Sequence, residues 1–381
     1  AVVAVGAYLL ATTPLAGPHE LARLEPWQYN GKIALGAVFA GGASMAIGRK
    51  FSASKFWDDV IRYEATAFVY IGELCRYLMN QPPSAKDRHH RVHAMIGNGL
   101  RPDLWEAFQA RFRIPRILEF YAATEGNVNI FNCDGKPGAV GRVPWFVAHR
   151  FPIAVVRFDV EKQQPLRNAD GFCETCAPNE AGEVIGRILN DPSKPSNRFE
   201  GYASAKQNEN KILRDVFAKG DMWFRTGDLM RQDERGYFYF VDRVGDTFRW
   251  KGENVSTTEV AEAINAVPGI EDANVYGVAV SGRDGRAGMA AITCKGACDL
   301  SALHAHLSSN LPDYARPVFL RLQNHLEMTS TFKQKKVDLV REGFNPAITG
   351  DPIYFSDPAS KGFVRLDDKL YRRIESGDVR L

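Results

Sequence analysis

Residues 242–260 read DRVGDTFRWKGENVSTTEV and separate two parts of the chain with different sequence patterns. The alternating run YFYFV at residues 237–241 leads into this stretch and predicts a strand. Gly245 follows, and a glycine can change φ and ψ at little steric cost, as a joint between two moving parts requires. Ser256 and Glu259 have the spacing of a capping box and predict the start of a helix. Composition alone favours a simpler alternative, a solvated turn between two strands with its charges in water.

Upstream of this stretch, apolar strands alternate with amphipathic helices. Strands are predicted at residues 66–71, 92–96 and 117–121, and the segments between them carry apolar residues at helical spacing. This alternation predicts parallel βαβ units, in which ligands bind beyond the carboxyl ends of the strands. Two of those ends carry the runs GNG at residues 97–99 and YAATEG at residues 121–126. A ligand site is therefore expected at this edge of the sheet.

The rest of the chain has two further patterns. Residues 140–242 contain short apolar runs broken by Gly, Pro, Asn and Asp, which predicts a strand-rich unit of barrel-like or mixed sheet. After residue 243, short helices mix with strands up to Phe344, beyond which no regular structure is assigned. The predicted fold class is α/β. A parallel-sheet subdomain and a strand-rich subdomain form a large N-terminal domain, residues 1–242, and a smaller α+β lid comprises residues 243–381.

Composition excludes several classes of protein. A chain of 381 residues with 45% hydrophobic and 24% charged residues is long enough for a core and has no bias towards disorder. The formal charge of +3, without a run of basic residues, argues against nucleic acid as a partner. Six scattered cysteines are typical of a reducing compartment. Cys173 and Cys176 have no second pair nearby, which favours ordinary thiols over a zinc site.

The first residues are apolar. Residues 1–11 are too few to span a bilayer and lack the basic flank of a secretory signal. They predict a membrane-contacting or cropped element, with a buried helix as the alternative. The expected location is membrane-associated, either peripheral or through an N-terminal anchor.

The joint resembles a known motif. Residues 242–260 are similar, almost without interruption, to the hinge motif of adenylate-forming acyl-CoA synthetases, in the version shared by fatty acid transport proteins and very-long-chain acyl-CoA synthetases. The resemblance implies that Arg243 contacts the ATP ribose or phosphates and that Gly245 is the pivot of the lid. It also implies that the strand around Lys251 and Gly252 swings in to line the channel for the CoA thiol. The likeness extends from about residue 33 to about residue 345.

Other runs fit the same family, whose members activate a carboxylate with ATP and therefore need Mg²⁺, a cation and precise positioning. In the YAATEG run, Tyr121 offers an aromatic face for a base, Thr124 a hydroxyl for a phosphate and Glu125 a carboxylate for Mg²⁺. The run resembles the family's Tyr-Gly-x-Thr-Glu motif, which implies that Thr124 and Glu125 are catalytic. Without the resemblance, a Thr-Glu pair after a strand is more often a turn or a helix cap.

Two more runs concern the nucleotide. The resemblance implies that Gly97, Asn98 and Gly99 follow the adenine, although such a glycine pair alone is usually only a turn. Asp228 ends the run TGD, which resembles the family's ribose-binding motif, and its carboxylate can accept two charge-assisted hydrogen bonds from a ribose diol. An Asp that caps a turn is the common alternative.

A lysine-rich run, TSTFKQKK at residues 329–336, is by itself most simply a solvated loop. It resembles the family's catalytic-lysine loop, with Phe332 where many relatives have Gly. The resemblance implies that Lys333 bridges the carboxylate and the α-phosphate, since a lysine is a compact point charge on a long stem. Rotation about Gly245 then withdraws Lys333 and admits CoA.

One departure bears on function. Members of the family carry a Ser/Thr/Gly-rich phosphate-binding loop well before the region that matches Ile33, and this sequence contains neither that loop nor a Walker-type replacement. The expectation is a cropped or internally deleted form of a longer enzyme. The predicted function is an ATP-dependent long-chain or very-long-chain fatty acid CoA ligase that uses ATP, Mg²⁺ and CoA at the cytoplasmic face of a membrane. The alternatives are a membrane-linked fatty acid uptake or scaffold protein with impaired ligation and a CoA ligase for another carboxylate, such as a bile or aryl acid.

Overall fold

The computed structural model describes residues 9–12, 42–47, 51–122, 126–189, 211–326 and 336–381. These residues form a 13-stranded sheet, a five-stranded sheet and a two-stranded hairpin between them in sequence. The strands of the large sheet are β1 (Leu9–Thr12), β2 (Ser44–Ile47), β3 (Ala67–Ile71), β4 (Ala94–Asn98), β5 (Arg116–Ala122), β6 (Asn129–Asn132), β7 (Gly141–Arg142), β8 (Ile153–Asp159), β9 (Gln164–Pro165), β10 (Ala181–Arg187), β11 (Ile212–Arg214), β12 (Met222–Gln232) and β13 (Tyr237–Arg243).

The large sheet is mixed. Its order is β2-β1-β3-β4-β5-β6-β7-β13-β12-β10-β8-β9, and β11 pairs with β12. Strands β3, β4 and β5 are parallel, as the alternation of strands and helices predicts. Antiparallel pairs flank them on both sides, through β1 and β2 on one side and through β6, β7 and β13 on the other. The strand-rich residues therefore extend the parallel strands as one sheet, which is the mixed-sheet alternative of the sequence prediction.

Helices cover the parallel strands. They are α1 (Phe56–Arg62), α2 (Gly72–Met79) and α3 (Pro102–Phe112), and a 3-10 turn lies at Ala85–Arg88. Their apolar faces pack with the strands into one core in which Trp57 lies against Phe112, with ring centroids 4.7 Å apart. Pro102 occupies the first turn of α3, where its missing N–H costs nothing. This packing fixes the carboxyl ends of β4 and β5 relative to each other.

The second sheet has the order β16-β17-β18-β19-β20. In the described residues, a hairpin and five helices accompany it, with a 3-10 turn at Asp313–Ala315. Another 3-10 turn, at Trp145–Arg150, lies between β7 and β8 of the large sheet. The elements are β14 (Phe248–Trp250), β15 (Glu253–Val255), α4 (Thr257–Asn265), β16 (Ile270–Val278), β17 (Ala287–Cys294), α5 (Leu300–Asn310), β18 (Phe319–Leu322), α6 (Val337–Glu342), α7 (Pro346–Thr349), β19 (Ile353–Asp357), β20 (Gly362–Arg365) and α8 (Asp368–Glu375). Helix α4 begins where the capping box predicts, and Ser256 Oγ accepts a hydrogen bond from Glu259 N at 3.2 Å.

Residues after Phe344 are regular, although their sequence suggested no structure. Strand β19 pairs with β18, and β20 pairs with β19 as the edge of the sheet. Ile353 and Phe355 are buried while their neighbours are half-exposed, so the alternation covers too few residues to be recognised in the sequence. Helix α8 begins at the Asp367 cap, whose side chain accepts from Leu370 N at 2.7 Å.

The amino-terminal apolar run ends in a strand. Residues 9–12 form β1, which pairs with both β2 and β3, so the buried-helix alternative is wrong for these residues. Across the described ranges, each helix is too short or too polar to pass through a lipid bilayer.

The cysteines differ in part from the expectation for a reducing compartment. Cys294 and Cys298 form a disulfide at the end of β17, with their Cα atoms 5.6 Å apart. Cys173 and Cys176 are not disulfide-bonded.

Candidate functional site

A cavity of about 920 Å³ opens at the carboxyl ends of β4 and β5 and extends to β12 and β13. The side of the cavity formed by the large sheet includes five residues that the sequence assigned to nucleotide binding: Asn98, Gly99, Tyr121, Asp228 and Arg243. They come from four strands spread over about 145 residues of sequence. The edge of the sheet at which a ligand site was expected therefore contains a real cavity.

Asp228 lines the cavity and contacts two other polar lining residues, Tyr121 and Arg243. Strands β12 and β13 pair Asp228 with Arg243, and Arg243 Nε lies 3.8 Å from Asp228 Oδ1. The Tyr121 hydroxyl donates a hydrogen bond to Asp228 Oδ2. Burial, together with the negative charge of Asp228, raises the pKa of Tyr121 well above its ordinary value, so the hydroxyl remains a donor at neutral pH. The arrangement combines a carboxylate acceptor, a cation and an aromatic ring.

The turn before Asp228 has a fixed shape. Gly227 has φ +79°, a left-handed conformation that glycine adopts without strain. The Thr226 hydroxyl donates to Val184 O at 2.7 Å and accepts from Asp228 N at 3.1 Å. These bonds lock the TGD run against β10, so the carboxylate of Asp228 has a defined position.

The GNG run forms one floor of the cavity, to which Asn98 and Gly99 contribute. Gly97 lies behind the lining, where a Cβ would stand 2.1 Å from Tyr70 O. Gly99 has φ +76°, and a Cβ on the facing Gly72 would stand 1.6 Å from Gly99 O. Gly97 and the start of helix α2 at Gly72 are therefore packed too closely against neighbouring backbone to carry a side chain, which fixes the position of the GNG run.

Glu119 was missed by sequence reasoning. It lies in β5, lines the cavity and is 5% exposed. Its Oε1 accepts hydrogen bonds from the Tyr70 hydroxyl at 2.7 Å and from Leu100 N at 2.8 Å. Burial raises its pKa to about 7, against the lowering effect of these hydrogen bonds. A glutamate inside the otherwise apolar strand ILEFYA was the available signal.

Two more lining residues come from the part of the chain after the joint. Thr258 and Glu262 lie one turn apart on α4, and both line the cavity. Burial raises the pKa of Glu262 to about 7, Arg101 acts to lower it and Asp103 raises it further. Nothing in the local sequence distinguishes Glu262 from a surface residue of an amphipathic helix. The cavity is thus closed on one side by the part of the chain that follows the joint.

The joint itself is more than a solvated turn. Asp242 is 2% exposed, and its Oδ2 accepts from Thr257 N at 2.6 Å and from Thr247 Oγ1 at 3.1 Å. Lys336 Nζ donates to Asp246 at 2.9 Å and to Thr257 Oγ1 at 2.8 Å. Burial raises the pKa of Asp242, whereas the charge of Lys336 acts to lower it. The end of the lysine-rich run is therefore tied to the joint.

Gly245 has φ +93° and lines a second cavity, of about 440 Å³, together with Asp246 and Lys336. A Cβ at Gly245 would approach only Gln163 Nε2, at 3.9 Å, so space allows a side chain there and the backbone angle opposes it. This glycine is needed for its conformation. Its role as a pivot stays a prediction.

Other predicted site residues lie elsewhere. Lys251 and Gly252 form the turn between β14 and β15, away from the lining of the large cavity, and Lys251 Nζ lies 2.7 Å from Asp313 Oδ2. Thr124, Glu125 and Lys333 lie outside the described residues.

No cluster of three or more His, Cys, Asp or Glu side chains suited to a metal ion occurs within the parts of the chain that the structure describes. Four of the residues that line the cavity have groups suited to the sugar and base of a nucleotide. They are Asp228, Arg243, Tyr121 and Gly99.

Comparison with known families places the chain. Residues 27–185 match the family model "AMP-binding enzyme", and residues 259–333 match "AMP-binding enzyme C-terminal domain". Long-chain fatty acid transport protein 3 from Mus musculus is 48% identical over 343 residues, covering 89% of this chain and 51% of the relative. Long-chain fatty acid transport protein 2 from Rattus norvegicus is 46% identical over 352 residues, covering 92% of this chain and 56% of the relative. The chain spans about half the length of the curated relatives it matches.

Solved structures agree on the fold. ATP-bound MatB from Rhodopseudomonas palustris aligns with a TM-score of 0.66 at 22% identity, covering 89% of this chain and 60% of that one. The o-succinylbenzoate CoA synthetase from Bacillus subtilis, in complex with its acyl-adenylate intermediate, aligns with a TM-score of 0.60 at 20% identity, covering 80% of this chain and 57% of that one. The two family matches and the sequence identities together show that this chain belongs to the adenylate-forming AMP-binding enzyme superfamily, in the branch of the long-chain fatty acid transport proteins.

Proposed function

We propose that this chain carries the nucleotide-binding and lid regions of an ATP-dependent ligase that joins long-chain or very-long-chain fatty acids to CoA. The observation that carries the proposal is the convergence of Asn98, Gly99, Tyr121, Asp228 and Arg243 around one cavity. The proposed boundary between the two regions lies at residues 242 and 243. ATP, Mg²⁺ and CoA are the proposed co-reactants.

The proposed roles follow from the chemistry of each group. The Asp228 carboxylate accepts hydrogen bonds from the ribose diol, and Arg243, 3.8 Å away, balances its charge and faces the phosphates. The Tyr121 ring and the backbone at Gly99 border the space for the base. Glu125 holds Mg²⁺ and Thr124 a phosphate oxygen, as the family resemblance implies.

The proposed reaction has two halves. A fatty acid carboxylate oxygen forms a bond to the α-phosphorus of ATP, the bond to pyrophosphate breaks, and Lys333 balances the charge that develops. The CoA thiolate then attacks the acyl carbon of the adenylate, and AMP leaves. Between the halves the lid turns about Gly245, so that the strand around Lys251 and Gly252 replaces Lys333 at the reacting atoms.

The test measures AMP release by the longest natural form of the protein that contains this chain. Release should require a long-chain fatty acid together with CoA. A panel of acids, from short to very long chains and including a bile acid and an aryl acid, assigns the substrate class. Absence of AMP release with every acid would overturn the proposal.

A second candidate function, fatty acid uptake at a membrane surface, is favoured by the names of the relatives, which are long-chain fatty acid transport proteins. Cells that express the Lys333→Ala variant distinguish the two. Uptake that persists after ligation is lost supports an independent transport role, and parallel loss of both supports uptake driven by ligation.

A further inference from the structure

A buried carboxylate lies beside the floor of the nucleotide cavity. Glu119 lies in β5 two residues before Tyr121, with its side chain 5% exposed and apolar neighbours in sequence on both sides. A buried glutamate in a strand costs free energy unless hydrogen bonds satisfy it, so its partners indicate why it is tolerated. The roles proposed above for the cavity do not use this residue.

Two of the donors to Glu119 meet at one oxygen, and the Gly99 backbone also hydrogen-bonds this carboxylate. Oε1 accepts from the Tyr70 hydroxyl at 2.7 Å and from Leu100 N at 2.8 Å. Tyr70 comes from β3, Leu100 directly follows the GNG run after β4, and β4 and β5 pair Gly97 with Glu119. One oxygen atom thus links three neighbouring parallel strands at the edge where the cavity opens.

The segment that Glu119 holds is the cavity floor at residues 97–100, here termed the shelf. Behind it, a Cβ at Gly72 would stand 1.6 Å from Gly99 O, so helix α2 prevents the shelf from moving backwards. The bond from Leu100 N to Glu119 Oε1 ties it to the neighbouring strand β5. Contacts with helix α2 and with Glu119 therefore hold the shelf in place.

We propose that Glu119 is a positioning residue for nucleotide binding, which holds the shelf at the height that the base of a bound adenine nucleotide requires. The inference rests on the proposed function, because it assigns the base to this floor. The carboxylate acts through the Gly99–Leu100 backbone.

The environment makes this contact sensitive to pH. Burial raises the pKa of Glu119 to about 7, and it raises the pKa values of the neighbouring Tyr70 and Cys75 well above their ordinary values, so those two groups stay neutral. A neutral carboxyl is a weaker acceptor than a carboxylate, so acid weakens the hold on the shelf. The other titratable or charged groups that line the cavity are Lys211, Arg225, Glu183, Arg101, Asp228, Arg243, Tyr121 and Glu262.

The proposal is tested by measuring the affinity of the full chain for AMP with titration calorimetry at pH values from 6 to 8. Glu119→Ala should weaken AMP binding about tenfold at pH 8, because the shelf loses a charge-assisted hydrogen bond. Glu119→Gln keeps an acceptor at Oε1 and should restore affinity to within about threefold of the wild type. Tyr70→Phe should have an intermediate effect, and Glu106→Ala, an exposed glutamate on α3, is the matched control.

The pH profile separates positioning from simple stability. Wild-type affinity for AMP should fall as pH decreases through about 7, and Glu119→Gln should remove this dependence. Glu262 also titrates in this range, so the profile is measured in a Glu262→Gln background as well. A Glu119→Gln profile that matches the wild type in that background would overturn the inference even if Glu119→Ala failed to fold.

Failure of the proposed function gives a different result. If the wild-type chain binds no AMP at any pH while its thermal unfolding is cooperative, the assignment of the cavity to a nucleotide is wrong. If the wild type binds AMP and both Glu119 variants bind it equally well, the cavity assignment stands and the role of Glu119 is wrong.

Discussion

Asp228 concentrates the polar interactions of the cavity on one carboxylate. It receives the Tyr121 hydroxyl and faces Arg243, and its backbone is locked by Thr226. This geometry gives the carboxylate two oxygens at a fixed place in a cavity that is open to a ligand. A single side chain with such restricted freedom is the natural position at which to test ligand binding.

We expect Asp228→Ala to weaken AMP binding about a hundredfold, since two charge-assisted hydrogen bonds to a ribose diol are lost. Titration calorimetry at pH 8 measures the change. Asp170→Ala removes an exposed carboxylate from a loop and serves as the control. An Asp228→Ala variant with wild-type affinity would show that the ribose does not bind at this carboxylate.

The raised pKa of Glu262 leads to a prediction of how the free energy of unfolding depends on pH. Its pKa is raised in the folded protein from an ordinary 4.5 to about 7, because the lid helix holds it in the cavity. The folded state therefore binds more protons than the unfolded state between these values, and the free energy of unfolding falls as pH rises through this window.

We expect Glu262→Gln to raise the melting temperature at pH 8, and the gain should vanish below about pH 4.5, where the wild-type carboxyl is protonated in both states. Differential scanning calorimetry at the two pH values measures it. An equal gain at both pH values would indicate a packing effect instead of a titration.

At the scale of elements, helix α2 is fastened to strand β16 of the second sheet by Arg76. This side chain is 8% exposed, and its Nη2 lies 3.2 Å from Asp272 Oδ2. It also contacts Glu73 and the Glu271 carbonyl. The contact joins residues that are 196 positions apart in the sequence, so it holds the lid in the pose observed here.

We expect Arg76→Ala to lower the free energy of unfolding by about 3 kcal/mol, because the buried Asp272 carboxylate loses the cation that balances its charge. Denaturant unfolding measures the loss, and Asp272→Asn in the same chain should recover part of it. The exposed pair of Arg91 and Glu64, with N and O 3.1 Å apart, provides the control, and Arg91→Ala should cost at most about 1 kcal/mol. Equal losses in the two variants would contradict a special role for the α2–β16 contact.

At the scale of the whole molecule, the two sheets are connected through a joint whose backbone is unusual at one residue. Gly245 has φ +93°, and Lys336 ties the far end of the lysine-rich run to Asp246 beside it. The proposed rotation of the lid about this point would move Thr258 and Glu262 out of the large cavity. The same rotation would break the Arg76 contact.

We expect Gly245→Ala to slow the thioester-forming half-reaction about tenfold and to slow adenylate formation less, because a Cβ restricts the angles that the joint must pass through. Single-turnover assays of each half measure the difference. Gly171→Ala, at φ +84° in an exposed loop with no atom near its Cβ, introduces the same strain away from the joint. Equal effects on both half-reactions would argue against a pivot at Gly245.

The sequence by itself determined the alternation of strands β3, β4 and β5 with helices, the capping of α4, and the family to which the chain belongs. These features depend on local periodicity, caps and contiguous motifs, which neighbouring residues specify together. The same motifs identified Tyr121, Asp228 and Arg243 as candidate site residues, because each lies at the end of a recognisable strand or motif. The sequence did not predict the regular structure after Phe344, because its strands are short and buried and exposed residues alternate over only a few positions.

Only the tertiary structure decided which residues share a site. It brought Glu119, Thr258 and Glu262 to the cavity and placed Gly97 behind the lining. It also joined the parallel and antiparallel strands into one sheet and paired Arg76 with Asp272. These are contacts between residues far apart in sequence, and their free energy depends on burial and on partners that no local pattern specifies.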